Sequence, residues 1–302
     1  MKVRLLAALL ALSAVAGCGA GVAASGSADG RLRVVTAFYP LQFLSQRIGG
    51  DAVSVTELTK PGAEPHDVEL SPRQVGDIVD AGLVVYLKGF QPAIDTAVAQ
   101  EAKGRAFDVG SAVPRLPYEG AENGEHEAAA GNTDPHVWLD PVRYSTIAGI
   151  LGQRLAAADP AHAAGYTARA AAVRTELAAL NTAFADGLRT CVRHEIVTSH
   201  AAFHYLADRY GLTEIGITGI SPEAEPSPGR LAQIADQARA TGTTTIFFET
   251  LVSPKIAETL ARAVGAKAAV LDPLEGLTEP GADYFSVMRD NLGALTLALG
   301  CA

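Results

Sequence analysis

A single unbroken apolar stripe near the middle of the chain dictates its architecture. Asp159-Pro160 supplies a helix start, with Asp as the cap and Pro at the first helical position, where its missing N–H costs nothing. Tyr166, Ala170, Val173, Leu177, Leu180, Phe184 and Leu188 then follow at steps of three or four residues, which is one helical face. From Ala161 to Leu188 such a helix runs roughly 42 Å, long enough to lie along two lobes rather than inside one. Short β-rich runs alternate with helical patterns on both sides of it. Before it, 32–38, 53–58 and 83–87 read as buried strands, with helices over 72–81 and 92–102. After it, 195–199, 213–217, 243–248 and 268–271 read as strands, with helices at about 201–210, 228–241, 254–264 and 284–299. This alternation predicts an α/β fold of βα-built parallel sheets. Two lobes are expected, over 31–158 and 190–302, each a parallel sheet sandwiched by helices and joined by one long rigid helix over 159–189. The chain's 302 residues suffice for two cores. A ligand site belongs in the cleft between the lobes, where strand-end loops meet.

The N-terminus speaks to compartment. Lys2 and Arg4 precede an apolar run from Leu5 to Val15 that is too short to cross a bilayer, so 1–17 reads as a signal peptide. Val15-Ala16-Gly17-Cys18 looks like the lipobox of bacterial lipoproteins, in which the chain is cut before Cys18 and that thiol is acylated. The Gly/Ala/Ser-rich stretch that completes 18–30 suits a flexible tether to a lipid anchor. No other run is long and apolar enough to span a membrane, so the mature chain is expected to be soluble apart from its anchor. Of the remaining cysteines, Cys191 and Cys301 are expected to form a disulfide in a non-reducing compartment; two buried thiols or a soft metal site are the competing readings. With 33 acidic and 24 basic side chains the formal net charge is -9, and removal of the signal takes it to about -11. That balance disfavours an extended nucleic-acid-binding face and suits a cationic ligand. The segment 119–134, with Glu119, Glu122, Glu125, Glu127 and one histidine, His126, reads as a solvated acidic loop.

Three of the seven histidines stand where strand-end loops are expected. His66 lies in the turn-rich run from Lys60 to Glu69, His136 follows the acidic loop, and His200 sits between a strand and a helix. Neutral imidazole suits Zn²⁺, and three imidazoles with one carboxylate or water make a tetrahedral site. From spacing alone, each of them reads more readily as a surface histidine than as a ligand.

Five segments together carry more: GAEPHDVELSP (62–72), DPHVWLDP (134–141), TSHAAFHYLA (198–207), GISPEAEPSPGRL (219–231) and VLDPLEGL (270–277). Across essentially the whole mature chain the sequence resembles the metal-binding solute receptors of ABC importers, a cluster that includes the ZnuA-like zinc-uptake lipoproteins. The resemblance implies that His66 and His136 are ligands from the first lobe and His200 from the second, with Asp272 at the fourth position. Manganese-type members carry a carboxylate at the third position, so His200 points to zinc. It further implies a monomeric receptor held by its lipid anchor at the outer face of the bacterial cytoplasmic membrane, passing Zn²⁺ to a permease powered by a cytoplasmic ATPase, with no catalytic step. Rival readings are a manganese or iron receptor of the same fold, a three-His zinc hydrolase, and a metal-dependent surface adhesin. Many zinc receptors of this kind carry a His-rich loop where this chain has only His126. Glu249, at a strand end, is placed to orient an imidazole or else to cap the following helix. His204 shares a helical face with His200 and reads as a residue supporting the site or as a surface residue. His162 and His194 read as exposed.

Overall fold

A computed structural model describes residues 30–118 and 133–302. The signal peptide, Cys18, the tether up to residue 29, and the acidic segment from 119 to 132 with His126 lie outside the described residues. The first lobe contains β1 (Leu32–Thr36), α1 (Tyr39–Gly49), β2 (Val53–Glu57), α2 (Pro72–Asp80), β3 (Leu83–Tyr86), α3 (Pro92–Glu101), β4 (Ala106–Asp108) and α4 (Pro141–Ala158). The long helix α5 (Ala163–Gly187) follows. The second lobe contains β5 (Glu195–Thr198), α6 (His204–Tyr210), β6 (Thr213–Gly216), α7 (Pro228–Ala240), β7 (Thr245–Phe248), α8 (Lys255–Val264), β8 (Lys267–Val270) and α9 (Tyr284–Leu299). Both sheets are wholly parallel, ordered β2-β1-β3-β4 and β6-β5-β7-β8, so the two lobes repeat one topology. No helix among the described residues is long and apolar enough to cross a membrane.

Local chemistry accounts for the boundaries. Ser71 and Gln74 form a reciprocal capping box at the start of α2, and Asp283 and Ser286 do the same for α9. The stripe of α5 is buried throughout, from Tyr166 to Leu188. The helix itself begins later than expected, because Asp159 does not cap it. The Asp159 carboxylate instead accepts from His162 Nδ1 at 2.7 Å and Tyr166 Oη at 2.8 Å, and Pro160–His162 forms a 3₁₀ turn before α5 opens. Three further elements complete the first lobe: α1, β4 and α4. The start of α4 is another Asp-Pro step, in which Asp140 accepts from the backbone N–H of Val142. Its buried Tyr144, Ile147, Ala148, Leu151 and Leu155 repeat at helical spacing and pack on α5. At Gly152 the two helices approach so closely that a Cβ would lie 2.7 Å from that of Ala170.

The lobes are not independent bodies. One hydrophobic core runs from the first sheet through α4 and α5 into Phe203, Tyr205, Leu274, Tyr284 and Met288 of the second lobe. A smaller core in the second lobe joins Val197 of β5 and Ile246 of β7 to Ile234 of α7 and Leu260 of α8. Polar bolts reinforce the junction: Arg209 of α6 donates to both oxygens of the fully buried Asp140, at 3.0 and 2.7 Å. Tyr205 Oη donates to the Asp134 carbonyl and accepts from the Leu116 N–H. The Cys191–Cys301 disulfide, spanning 110 residues, holds the C-terminus against the start of the second lobe.

Candidate metal centre

Loops at the C-terminal edges of both sheets converge on a buried cluster of His66, His136, His200 and Glu275, whose candidate ligand atoms all lie within 4.8 Å of one another. His66 follows β2, His136 precedes the 3₁₀ turn Val137–Leu139 that leads into α4, His200 follows β5, and Glu275 follows β8. His66 is 8% exposed and the other three are at 1% or less. Glu275 Oε1 stands 3.1 Å from His66 Nε2, 3.0 Å from His136 Nε2 and 3.3 Å from His200 Nε2. The Nε2 atoms of His136 and His200 are 3.4 Å apart. Ligands about 2.05 Å from a tetrahedral Zn²⁺ are separated by about 3.3 Å, so these four edges already match such an ion. Glu275 Oε2 is buried without a hydrogen-bond partner among the described residues, as suits a group whose partner is a cation.

The imidazoles are aimed by what binds their other nitrogens. Asp134 Oδ1 accepts from both the backbone N–H and Nδ1 of His136, each at 2.8 Å. Glu249 Oε1 accepts from His200 Nδ1 at 2.8 Å and from Ser199 Oγ at 2.7 Å. Each of these bonds fixes the ring and leaves Nε2 facing the cleft. His66 is positioned differently: its backbone N–H donates to Glu64, and its ring meets Phe90 edge-on at 4.6 Å.

The electrostatics of the metal-free cluster follow from this geometry. Burial opposes charge on His136, but Asp134 and Glu275 outweigh it and raise its pKa to about 9. Glu249 and Glu275 likewise lift His200 well above the usual range against its burial. Burial dominates at His66 and lowers it. Glu275 is buried too, yet the surrounding imidazoles hold it well below the usual carboxylate range. Burial, followed by the charge of Glu275, pushes the neighbouring Glu64 up to about 8. The cluster is thus a balanced set of imidazolium and carboxylate groups, in which an arriving dication replaces protons.

The structure brings together His66, His136 and His200, and places Glu249 on His200. It does not bring Asp272 to the cluster. That carboxylate is engaged elsewhere: Oδ1 accepts from the Leu274 N–H of its own loop at 2.7 Å, and Oδ2 from Thr250 Oγ1 of the loop after β7 at 3.0 Å. Glu275, three residues on in the same VLDPLEGL segment, takes the position instead. Leu274 makes this possible: it is fully buried with φ 59, the one non-glycine at positive φ among the described residues, and it reverses the chain between the two acids. Across the cleft, Trp138 Nε1 donates to the Pro273 carbonyl at 2.7 Å and fixes the loop from the first lobe. Asp134 was also missed as an orienting group, although it stands directly before the Pro-His step. His204 lies outside the cluster, with Nδ1 3.6 Å from Asp134 Oδ2.

Residues 34–298 match the family model described as ZnuA, zinc-uptake complex component A, periplasmic. The chain is 38% identical over 281 residues to the zinc-binding lipoprotein AdcA of Streptococcus pneumoniae serotype 4, a match covering 89% of this chain and 56% of that protein. It therefore spans little more than half the length of that relative. The high-affinity zinc uptake system protein ZnuA of Bacillus subtilis is 34% identical over 296 residues, covering 93% of this chain and 92% of the relative. Among solved structures, the laminin-binding protein Lmb of Streptococcus agalactiae, described as bifunctional with adhesin and metal-transporting activity, superposes with a TM-score of 0.80 at 33% identity, covering 89% of this chain and 99% of that one. The Zn(II)-bound ZnuA-like domain of S. pneumoniae AdcA superposes with a TM-score of 0.76 at 35% identity, with the same coverage.

Proposed function

Because the chain belongs to the ZnuA family of zinc-uptake components, we propose that it is the extracytoplasmic receptor of an ABC-type importer, capturing Zn²⁺ and delivering it to a permease driven by an ATPase. The observation that carries this reading is the convergence of three imidazole nitrogens and one carboxylate at zinc-sized separations in a buried cleft. In this reading His66, His136, His200 and Glu275 are the ligands, while Asp134 and Glu249 orient two of the imidazoles. Three nitrogen donors to one oxygen favour Zn²⁺ over Mn²⁺, which prefers oxygen-rich sites. The protein is a receptor without a catalytic step, monomeric and tethered through acylated Cys18 at the outer face of the cytoplasmic membrane.

The test is titration of chelator-stripped protein with Zn²⁺ and with Mn²⁺ in competition. One tightly held Zn²⁺ per chain is expected, with Mn²⁺ unable to displace it, and His66→Ala, His136→Ala and His200→Ala should each weaken binding. Unchanged affinity in two of the three variants would overturn the ligand assignment. The likeness to Lmb favours adhesion as a second reading. Binding of immobilised laminin by the zinc-loaded chain would support it, and its absence alongside zinc binding would leave transport alone.

A further inference from the structure

One titratable side chain outside the converging ligands is tied to them by geometry. His204 opens α6 with its side chain 39% exposed, and its Nδ1 points to Asp134 Oδ2 at 3.6 Å, just beyond hydrogen-bond reach. Asp134 is fully buried. Its Oδ1 is committed to His136, whereas Oδ2 has no hydrogen-bond partner among the described residues. The carboxylate therefore stands between a ligand imidazole of the first lobe and a half-exposed imidazole of the second, with its free oxygen turned toward the latter.

Building on the zinc reading above, we infer that His204 is a positioning residue that sets zinc affinity through Asp134, loosening the site when it is protonated and tightening it when neutral. A full carboxylate charge on Nδ1–H makes His136 Nε2 a stronger donor to the metal. An imidazolium at Oδ2 draws that charge outward and adds a positive charge beside a bound dication. The charged groups acting on His204 are Asp134, Glu214 of β6 and Asp208 of its own helix; Arg143 of α4 lies 3.7 Å from Asp208. The acids prevail, Asp134 foremost, and lift His204 above the usual histidine range. Its change of charge requires no ligand position.

The experiment measures zinc affinity of the full chain by competition with a zinc-binding chromophore from about pH 5.5 to 8.5, the range over which imidazole changes charge. His204→Gln removes the titration as a neutral side chain, and His204→Lys keeps the positive charge throughout. His162→Gln removes an exposed histidine elsewhere. Relative to the unaltered chain, His204→Gln should bind about tenfold more tightly at the acid end and equally at the alkaline end, tenfold being the lower range of outer-ligand effects. His204→Lys should match the unaltered chain at the acid end and bind about tenfold more weakly than it at the alkaline end. His162→Gln should track the unaltered chain throughout. Both His204 variants weakening binding alike, or an unchanged pH slope in His204→Gln, would overturn the inference while leaving the zinc receptor intact. Failure of the unaltered chain to bind zinc would overturn both.

Discussion

Glu275→Gln separates the proposed fourth ligand from its sequence neighbour Asp272. The amide keeps the shape of the side chain but loses the charge that stands 3.0–3.3 Å from three imidazole nitrogens. Four-ligand protein zinc sites bind with about 10–16 kcal/mol, so one ligand corresponds to about 3 kcal/mol, or roughly a hundredfold in affinity. Asp272→Asn should behave differently, because its carboxylate makes only loop bonds to Leu274 and Thr250. Weakening one of those costs about 0.5–1.5 kcal/mol of stability and should leave zinc affinity within about threefold. Competition with a chromophoric chelator reads the affinities, and thermal melting of the metal-free proteins reads the stabilities. Glu275→Gln should also lower the melting temperature of the metal-free form, since the buried imidazolium groups lose their shared counter-charge. A hundredfold loss in Asp272→Asn, or an affinity in Glu275→Gln within a few-fold of the unaltered chain, would refute the assignment.

Three further outcomes follow from the same geometry. The pKa of His136 in the metal-free fold, about 9, lies above that of an unfolded histidine near ~6.5, so its stabilising contribution is complete below ~6.5 and is lost as pH rises through about 9. Metal-free protein should therefore melt lower at pH ~9.5 than at ~6, and zinc binding near pH 7 should release protons, read by calorimetry in buffers of differing ionisation enthalpy. The shared core and the Arg209–Asp140 bridge tie α6 to the first lobe, so zinc loading should leave the overall dimensions nearly unchanged in small-angle scattering. A large compaction would contradict the rigid junction.

The rigid junction also limits where metal exchange can occur. With one core running through α5 into both lobes, wide opening would expose buried aromatic rings such as Phe43 and Tyr284, which stack at 5.6 Å across the junction. The loops that carry the cluster are held in different ways. His136 and His200 are each held at Nδ1 by a buried carboxylate, whereas His66 and Glu275 are held chiefly through backbone and loop contacts.

How much of this was legible in the sequence depends on the range over which each feature is encoded. The lobe–helix–lobe order, the strands and the α5 stripe rest on short-range periodicity, and the structure follows them closely. The helix α4 carried the same signal, an Asp-Pro start and buried residues at helical spacing, and was equally open to being read. The three histidines that the structure brings together were singled out by the resemblance of their segments to a known family, since their local spacing alone reads as surface. The place of Glu275 in the cluster depends on a conformation that no local pattern announces. Leu is a poor choice for positive φ, a region costing of order 1–3 kcal/mol, and Leu274 adopts it because its side chain is buried in the shared core and the Trp138 indole pins the preceding carbonyl from 135 residues away. Asp272 and Glu275 are both acids in one eight-residue segment. Which of them faces the three imidazoles is decided by that reversal, and the reversal requires both lobes to be in place.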